Sequence, residues 1–240
     1  MKTNILWIFL LALPLVACGS NDEGEILPPE TETPEIPGGS NDESQGTPDI
    51  YDELISKTYA VPDGYENEAE HRGEVVRINY NTHDYAEGTG AARTNTAYLY
   101  LPYGYEDDAH TYYNVLYFVH GHYGTASTTF EAENGLLRKL LDHMTENGDM
   151  APTIVVSPSY NYGSPTANYA DADPYCEALP VELVNDLIPL VESRYRTYAG
   201  SADAAGLEAS REHRAIGGFS MGAVTTWYAL EHTLAYFKYF

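Results

Sequence analysis

The sequence predicts an α/β domain, a mainly parallel sheet with helices packed on both faces. Three observations carry that reading. A short continuous apolar run, Val115-Leu116-Tyr117-Phe118-Val119, and a second segment, Thr153-Ile154-Val155-Val156-Ser157, have the form of strands buried on both faces. Segments with helical spacing, at 136–144 and 181–195, alternate with them. A third strand, Arg214-Ala215-Ile216-Gly217-Gly218, runs through a glycine-rich turn into another helical pattern at 223–234.

The elements are justified in chain order. Lys2 precedes an apolar run at 5–16, too short for a stable membrane span and suited to the core of a signal peptide. The run ends in Leu15-Val16-Ala17-Cys18-Gly19, which resembles the lipobox of bacterial lipoproteins. That resemblance implies cleavage after residue 17 and a lipid on Cys18. Residues 18–57 are rich in Asn, Asp, Glu, Gly, Pro, Ser and Thr and read as a solvated acidic tether. Its start, Ser20-Asn21-Asp22-Glu23, resembles the surface-export signal of Bacteroidetes lipoproteins. The expected location is therefore the cell envelope, at the outer membrane, with the lipid as the only membrane contact.

The folded domain is expected over 58–240. Glu74-Val75-Val76-Arg77-Ile78-Asn79-Tyr80 and Thr94-Asn95-Thr96-Ala97-Tyr98-Leu99-Tyr100-Leu101 read as strands, the second closed by Pro102 and Gly104. A loop rich in Tyr, Asn and Asp is expected over 159–175. The helix over 181–195 places Val184, Leu187, Ile188 and Val191 on one face, with Pro189 expected to kink it. Tyr236-Phe237-Lys238-Tyr239-Phe240 looks like the start of another strand.

Composition narrows the partners. Thirty-six acidic residues against 12 basic ones give a formal charge of −24, which repels phosphate backbones and argues against nucleic acid. The second of the two cysteines, Cys176, reads as a small buried residue, since no basic group beside it would activate a thiolate.

Two short motifs carry chemistry. Gly218-Phe219-Ser220-Met221-Gly222 fits the nucleophile elbow G-x-S-x-G. The serine of such a turn is strained, and a side chain at Gly218 or Gly222 would collide with the neighbouring strand or helix. The turn lifts the Ser220 hydroxyl to a helix N-terminus, where N–H groups favour negative charge. The second motif, His120-Gly121-His122-Tyr123-Gly124, directly follows a buried strand, where a second oxyanion donor is expected. The N–H groups of Met221 and of His122 (Tyr123 less so) are the expected donors, with Gly121 opening the turn. His120 and His122, two apart, could instead begin a metal site, but no third ligand is indicated. No metal is expected there.

The chain from about residue 70 resembles the esterase D and feruloyl esterase family of α/β-hydrolases, which includes carbohydrate esterases of family one. The resemblance rests on Tyr98-Leu99-Tyr100-Leu101-Pro102-Tyr103-Gly104-Tyr105, on Val119-His120-Gly121, on Leu187-Ile188-Pro189-Leu190-Val191-Glu192-Ser193-Arg194-Tyr195-Arg196-Thr197, and on the run from Arg214 through the elbow. It implies Ser-Asp-His chemistry on ester bonds without metal or organic cofactor, with Ser220 as nucleophile and a polysaccharide-linked or small ester as substrate. Feruloyl and acetyl groups on xylan are the leading candidates. It also implies an Asp and a His after the elbow helix. Between Met221 and Phe240 there is no Asp, and His232 is the single His. A partial domain, lacking its last strands and helices and inactive alone, is therefore expected. Upstream, His71, His83, His110, His143 and His213 have polar surroundings and read as surface residues. Two other readings compete: a non-catalytic polysaccharide-binding lipoprotein on a hydrolase scaffold, and a siderophore-ester hydrolase.

Overall fold

The structure, a computed structural model, describes residues 61–107 and 109–240. The leader over 1–17, the tether over 18–57 with Cys18, and the expected domain start at 58 lie outside the described residues.

Strands β1 (Glu74–His83) and β2 (Ala92–Leu101) form an antiparallel pair with Glu74 opposite Leu101 and His83 opposite Ala92. Ile78, Tyr80 and Thr82 of β1 are buried while the residues between them are exposed, the period of two expected for a strand with one solvated face. Strands β3 (Asn114–Val119), β4 (Thr153–Ser157) and β5 (Arg214–Gly218) are mutually parallel where they pair. The sheet order is β1-β2-β4-β3-β5, with β2 antiparallel to β4.

Helix α1 (Thr128–Glu146) covers one face, where Phe130 and Leu141 pack with Tyr100 and Val155. The other face carries the larger core, built with α2 (Tyr169–Glu182), α3 (Ile188–Arg194), α4 (Ala204–Ala209) and α5 (Met221–His232). The layered α/β architecture follows the sequence expectation. β4 is buried at every position. β3 departs from expectation: Val115, Tyr117 and Val119 are buried, but Leu116 and Phe118 are half-buried, because a single helix covers their face.

The region after β4 also differs. The expected loop over 159–175 ends early, because α2 begins at Tyr169. Asn168 caps it, its side-chain oxygen accepting the Asp171 N–H at 2.9 Å. The helical run then continues through a π-helical stretch, Leu183–Leu187, into α3. Pro174 and Pro180 inside α2 hide it from pattern reading. Pro189 falls in the first turn of α3, directly after the π-helical stretch has shifted the hydrogen-bond ladder. It sits at this junction rather than as a kink within one regular helix.

At the far side of the sheet, Lys238 N–H donates to Arg214 O at 3.1 Å and Ile216 N–H to Tyr239 O at 3.0 Å. Tyr239 thus bridges β5 in parallel, as the strand-like reading of 236–240 expects. The start of β5 is fixed by Arg214, 1% exposed. Its guanidinium forms a bidentate pair with Glu192 of α3, and it donates to Leu207 O at 2.9 Å, Tyr236 O at 2.6 Å and Ser210 Oγ at 2.9 Å. All five donor positions are used.

Candidate active site

Parallel pairing brings the two sequence motifs together. Val119, the last residue of β3, lies opposite Gly218, the last of β5. The turn after β3 therefore lies beside the turn after β5, at the carboxyl ends of the strands, where open α/β sheets hold their ligands.

Ser220 has φ 55° and ψ −117°, in the left-handed half of backbone space that a residue with a side chain enters only at a cost of roughly 1–3 kcal/mol. The surrounding packing holds it there. Phe219 N–H donates to Val119 O at 3.2 Å, and Gly222 and Ala223 N–H close the first turn of α5 on Phe219 O and Ser220 O, each at 2.8 Å. A Cβ on Gly222 would stand 2.1 Å from Val119 O, and one on Gly218 would stand 2.6 Å from the same atom. Both contacts are with backbone, so both glycines are required for β5 and α5 to meet β3 this closely. Gly121 is less constrained. A Cβ there would meet Phe219 Cδ1 at 3.2 Å and Ser220 Cβ at 3.5 Å, so its smallness keeps the oxyanion turn against the elbow.

Ser220 is exposed, and its side chain makes no capping bond to α5. Among the described residues the N–H groups of Met221 and His122 donate to no other group. An uncommitted serine hydroxyl and two uncommitted N–H groups thus lie on adjoining turns, packed so closely that a Cβ on Gly121 would stand 3.5 Å from Ser220 Cβ. That arrangement can attack a carbonyl carbon and receive the negative charge that develops on its oxygen.

The two histidines of the turn diverge. His120 is buried, with Nδ1 2.8 Å from Gly121 O and Nε2 3.0 Å from Ser159 Oγ, and its ring lies 4.6 Å from that of Tyr160. Ser159 Oγ is 2.7 Å from Asn161 Oδ1, and Asn161 Nδ2 donates to Gly124 O at 3.0 Å. Both ends of the oxyanion turn are therefore tied to the loop after β4. That loop is held in turn by Asn95 Nδ2, which donates to Ser159 O and to Glu182 Oε1, each at 2.8 Å. His122 instead packs between the rings of Tyr123 and Tyr169. No group of three or more potential metal ligands occurs among the described residues.

Sequence reading missed Asn95, Ser159, Asn161 and Glu182 as supports of the site. The available signal was the Ser159-Tyr160-Asn161 run just beyond the carboxyl end of the apolar-centred strand Thr153–Ser157. His71, His143 and His213 are engaged elsewhere, by Glu146, Asn67 O and Asn114 respectively. His232 ends α5, roughly 17 Å along the helix from its first residue. Among the described residues no side chain hydrogen-bonds Ser220 Oγ. Cys176 is a free buried thiol, pushed up to about 11 first by burial, and so is inert as a nucleophile.

Burial lowers the His120 pKa to about 4. The folded protein keeps the ring neutral where the unfolded chain, with an ordinary pKa near 6.5, takes up a proton. The resulting stability is complete above about pH 6.5 and is lost as pH falls toward about 4, over a total of about 3 kcal/mol. Urea denaturation at pH 7 and pH 4.5 should therefore show a pH-dependent loss about 2–3 kcal/mol smaller in His120→Gln than in the parent. Burial raises Asp142 and Glu182, which titrate alike in both proteins and cancel in the difference. Parallel losses in parent and variant would contradict the assignment.

A mixed, mostly parallel sheet with a strained serine between β5 and its following helix, beside a glycine turn after β3, defines an α/β-hydrolase. The model of the Esterase family matches residues 89–239, and the chain belongs to that family. Endo-1,4-beta-xylanase Y of Acetivibrio thermocellus is 39% identical over 180 residues, 75% of this chain and 15% of that protein. Among solved structures, a serine-to-alanine mutant of the feruloyl esterase module from Clostridium thermocellum, complexed with sinapinate, is 38% identical with a TM-score of 0.63. The match covers 75% of this chain and 56% of that one. A CE1 ferulic acid esterase from Anaeromyces mucronatus, in complex with ferulic acid, shares the fold at 23% identity and a TM-score of 0.57, over 74% of this chain and 60% of its own. The chain thus spans little more than half the length of these solved relatives.

Proposed function

We propose that this protein is an exported serine carboxylic-ester hydrolase that forms an acyl-enzyme on Ser220 and releases feruloyl or acetyl groups from plant cell-wall xylan. The observation that supports the reading is the strained Ser220 on a turn packed against the one that carries His122, with the N–H groups of Met221 and His122 uncommitted. Ser220 Oγ attacks the acyl carbon, the hydroxyl proton passes to a general base, and the carbonyl oxygen becomes an oxyanion held by the two N–H groups. Collapse expels the alcohol, which takes back that proton, and water then cleaves the acyl-enzyme by the same steps. Each N–H acts most strongly once charge has developed, so loss of one typically raises the barrier by about 2.7–4 kcal/mol. The family resemblance implies that the base and its orienting acid are a His and an Asp placed after the elbow helix. The substrate class is supported by the feruloyl esterase module and its sinapinate complex. Export and anchoring rest on Cys18 and its lipobox-like context.

The product of the complete reading frame should release ferulate from feruloylated arabinoxylan or acetate from acetylated xylan. Release of neither, with turnover on unrelated esters, would refute the substrate assignment. Mass spectrometry of the mature N-terminal peptide should find a lipid on Cys18. An unmodified Cys18 would refute the anchoring.

A further inference from the structure

We propose that the His122 imidazole recognises a hydroxyl on a ring of the ester substrate, so that this residue serves the oxyanion turn through its backbone and specificity through its side chain. The inference rests on the esterase reading of Ser220.

His122 is 4% exposed, and neither of its ring nitrogens has a hydrogen-bonding partner among the described residues. His120, two residues earlier, has both nitrogens engaged. Buried polar groups are almost always satisfied, and one beside a reactive serine that is not points to a ligand. The distance suits this role. A Cβ on Gly121 would touch Ser220 Cβ at 3.5 Å, and adjacent Cα atoms are about 3.8 Å apart, so the His122 Cα lies within about 9 Å of Ser220 Cβ.

The walls of the site set the ligand's shape. The His122 ring centroid is 4.7 Å from that of Tyr123 and 4.6 Å from that of Tyr169, both edge-on. Tyr123 and Tyr169 are 77% and 59% exposed, so they offer ring surface to solvent on either side of a buried imidazole. Tyr169 is held in place because α2 is capped by Asn168 and fastened to α5 through Tyr228 OH, which donates to Asp173 at 3.1 Å. Tyr123 lies on the turn itself and is little held by packing, and recognition requires its ring to swing aside, a side-chain rotation of the ps–ns kind, to admit a ligand hydroxyl to the buried imidazole.

The two ring nitrogens of an imidazole can provide a donor and an acceptor, the complement of a hydroxyl. Aromatic walls around it take a flat ring. The ligand chemistry is therefore a hydroxylated ring carried by the ester, either a phenol on the acyl side or a sugar on the alcohol side.

The test uses Ser220→Ala protein from the complete reading frame, so that esters bind without turnover. Titration calorimetry would compare methyl ferulate, methyl 3-methoxycinnamate (which lacks only the phenol) and xylotriose, with and without His122→Phe. The expected result is that His122→Phe weakens methyl ferulate about tenfold and leaves methyl 3-methoxycinnamate unchanged. A tenfold loss confined to xylotriose also supports the role and places the hydroxyl on the sugar. Equal effects on all three ligands, or none, would overturn it. If the Ser220→Ala protein binds no ligand at all, the esterase reading fails instead. As a fold-independent readout, the His122 ring nitrogens should shift in the NMR spectrum when the recognised ligand is added, and an unmoved ring would likewise count against the proposal.

Discussion

Ser220→Ala is expected to lower kcat/KM of the complete-reading-frame product on methyl ferulate by on the order of 10⁴–10⁶-fold, mostly through kcat. The elbow geometry depends on Gly218, Gly222 and the Phe219 N–H bond to Val119 O, none of which the substitution touches. The unfolding midpoint should therefore stay close to the parent's. Residual catalysis is expected from the Met221 and His122 N–H groups, which still meet a developing oxyanion. Ser220→Gly serves as a control on strain. It removes the hydroxyl and also relieves a φ of 55°, so it should match the alanine variant in activity and exceed it in stability by about 1 kcal/mol. A loss of less than about a hundredfold in Ser220→Ala would mean that another group is the nucleophile.

The second large effect concerns the opposite end of the same strand. Glu192→Ala is expected to destabilise the protein by about 3–5 kcal/mol, because it leaves the Arg214 guanidinium buried without a counter-charge. Three hydrogen bonds, to Leu207 O, Tyr236 O and Ser210 Oγ, would remain, but none carries the missing charge. Glu192→Ala combined with Arg214→Met should be less destabilised than Glu192→Ala alone, since no unpaired charge is then buried. Urea denaturation of the three variants tests this. A cost below about 1 kcal/mol for Glu192→Ala would show that water reaches the guanidinium.

Much of the scaffold was legible because its demands are local. β4 is covered on both faces, and its run of Ile154, Val155 and Val156 reads as nothing else. The elbow was legible because its two glycines answer steric requirements that only glycine meets, at 2.1 Å and 2.6 Å from Val119 O. Helix α2 was not, since Pro174, Pro180 and its acidic residues oppose helix propensity locally and only packing against α5 and the sheet overrides them. The Glu192–Arg214 pair joins residues 22 apart on different elements and has no sequence period to betray it. His120 and His122 look equivalent in the chain. Their different fates are set by Ser159 and Asn161 on one side and by Tyr123 and Tyr169 on the other, partners that only the fold brings near.

The central claim is that Ser220 is the acylated nucleophile, and active-site labelling tests it most directly. The complete-reading-frame product would be treated with a fluorophosphonate probe, digested and mapped by mass spectrometry. The account predicts one phosphonylated residue, Ser220, with labelling abolished in Ser220→Ala and slowed by prior incubation with methyl ferulate. A label on any other residue, or undiminished labelling of Ser220→Ala, would contradict it.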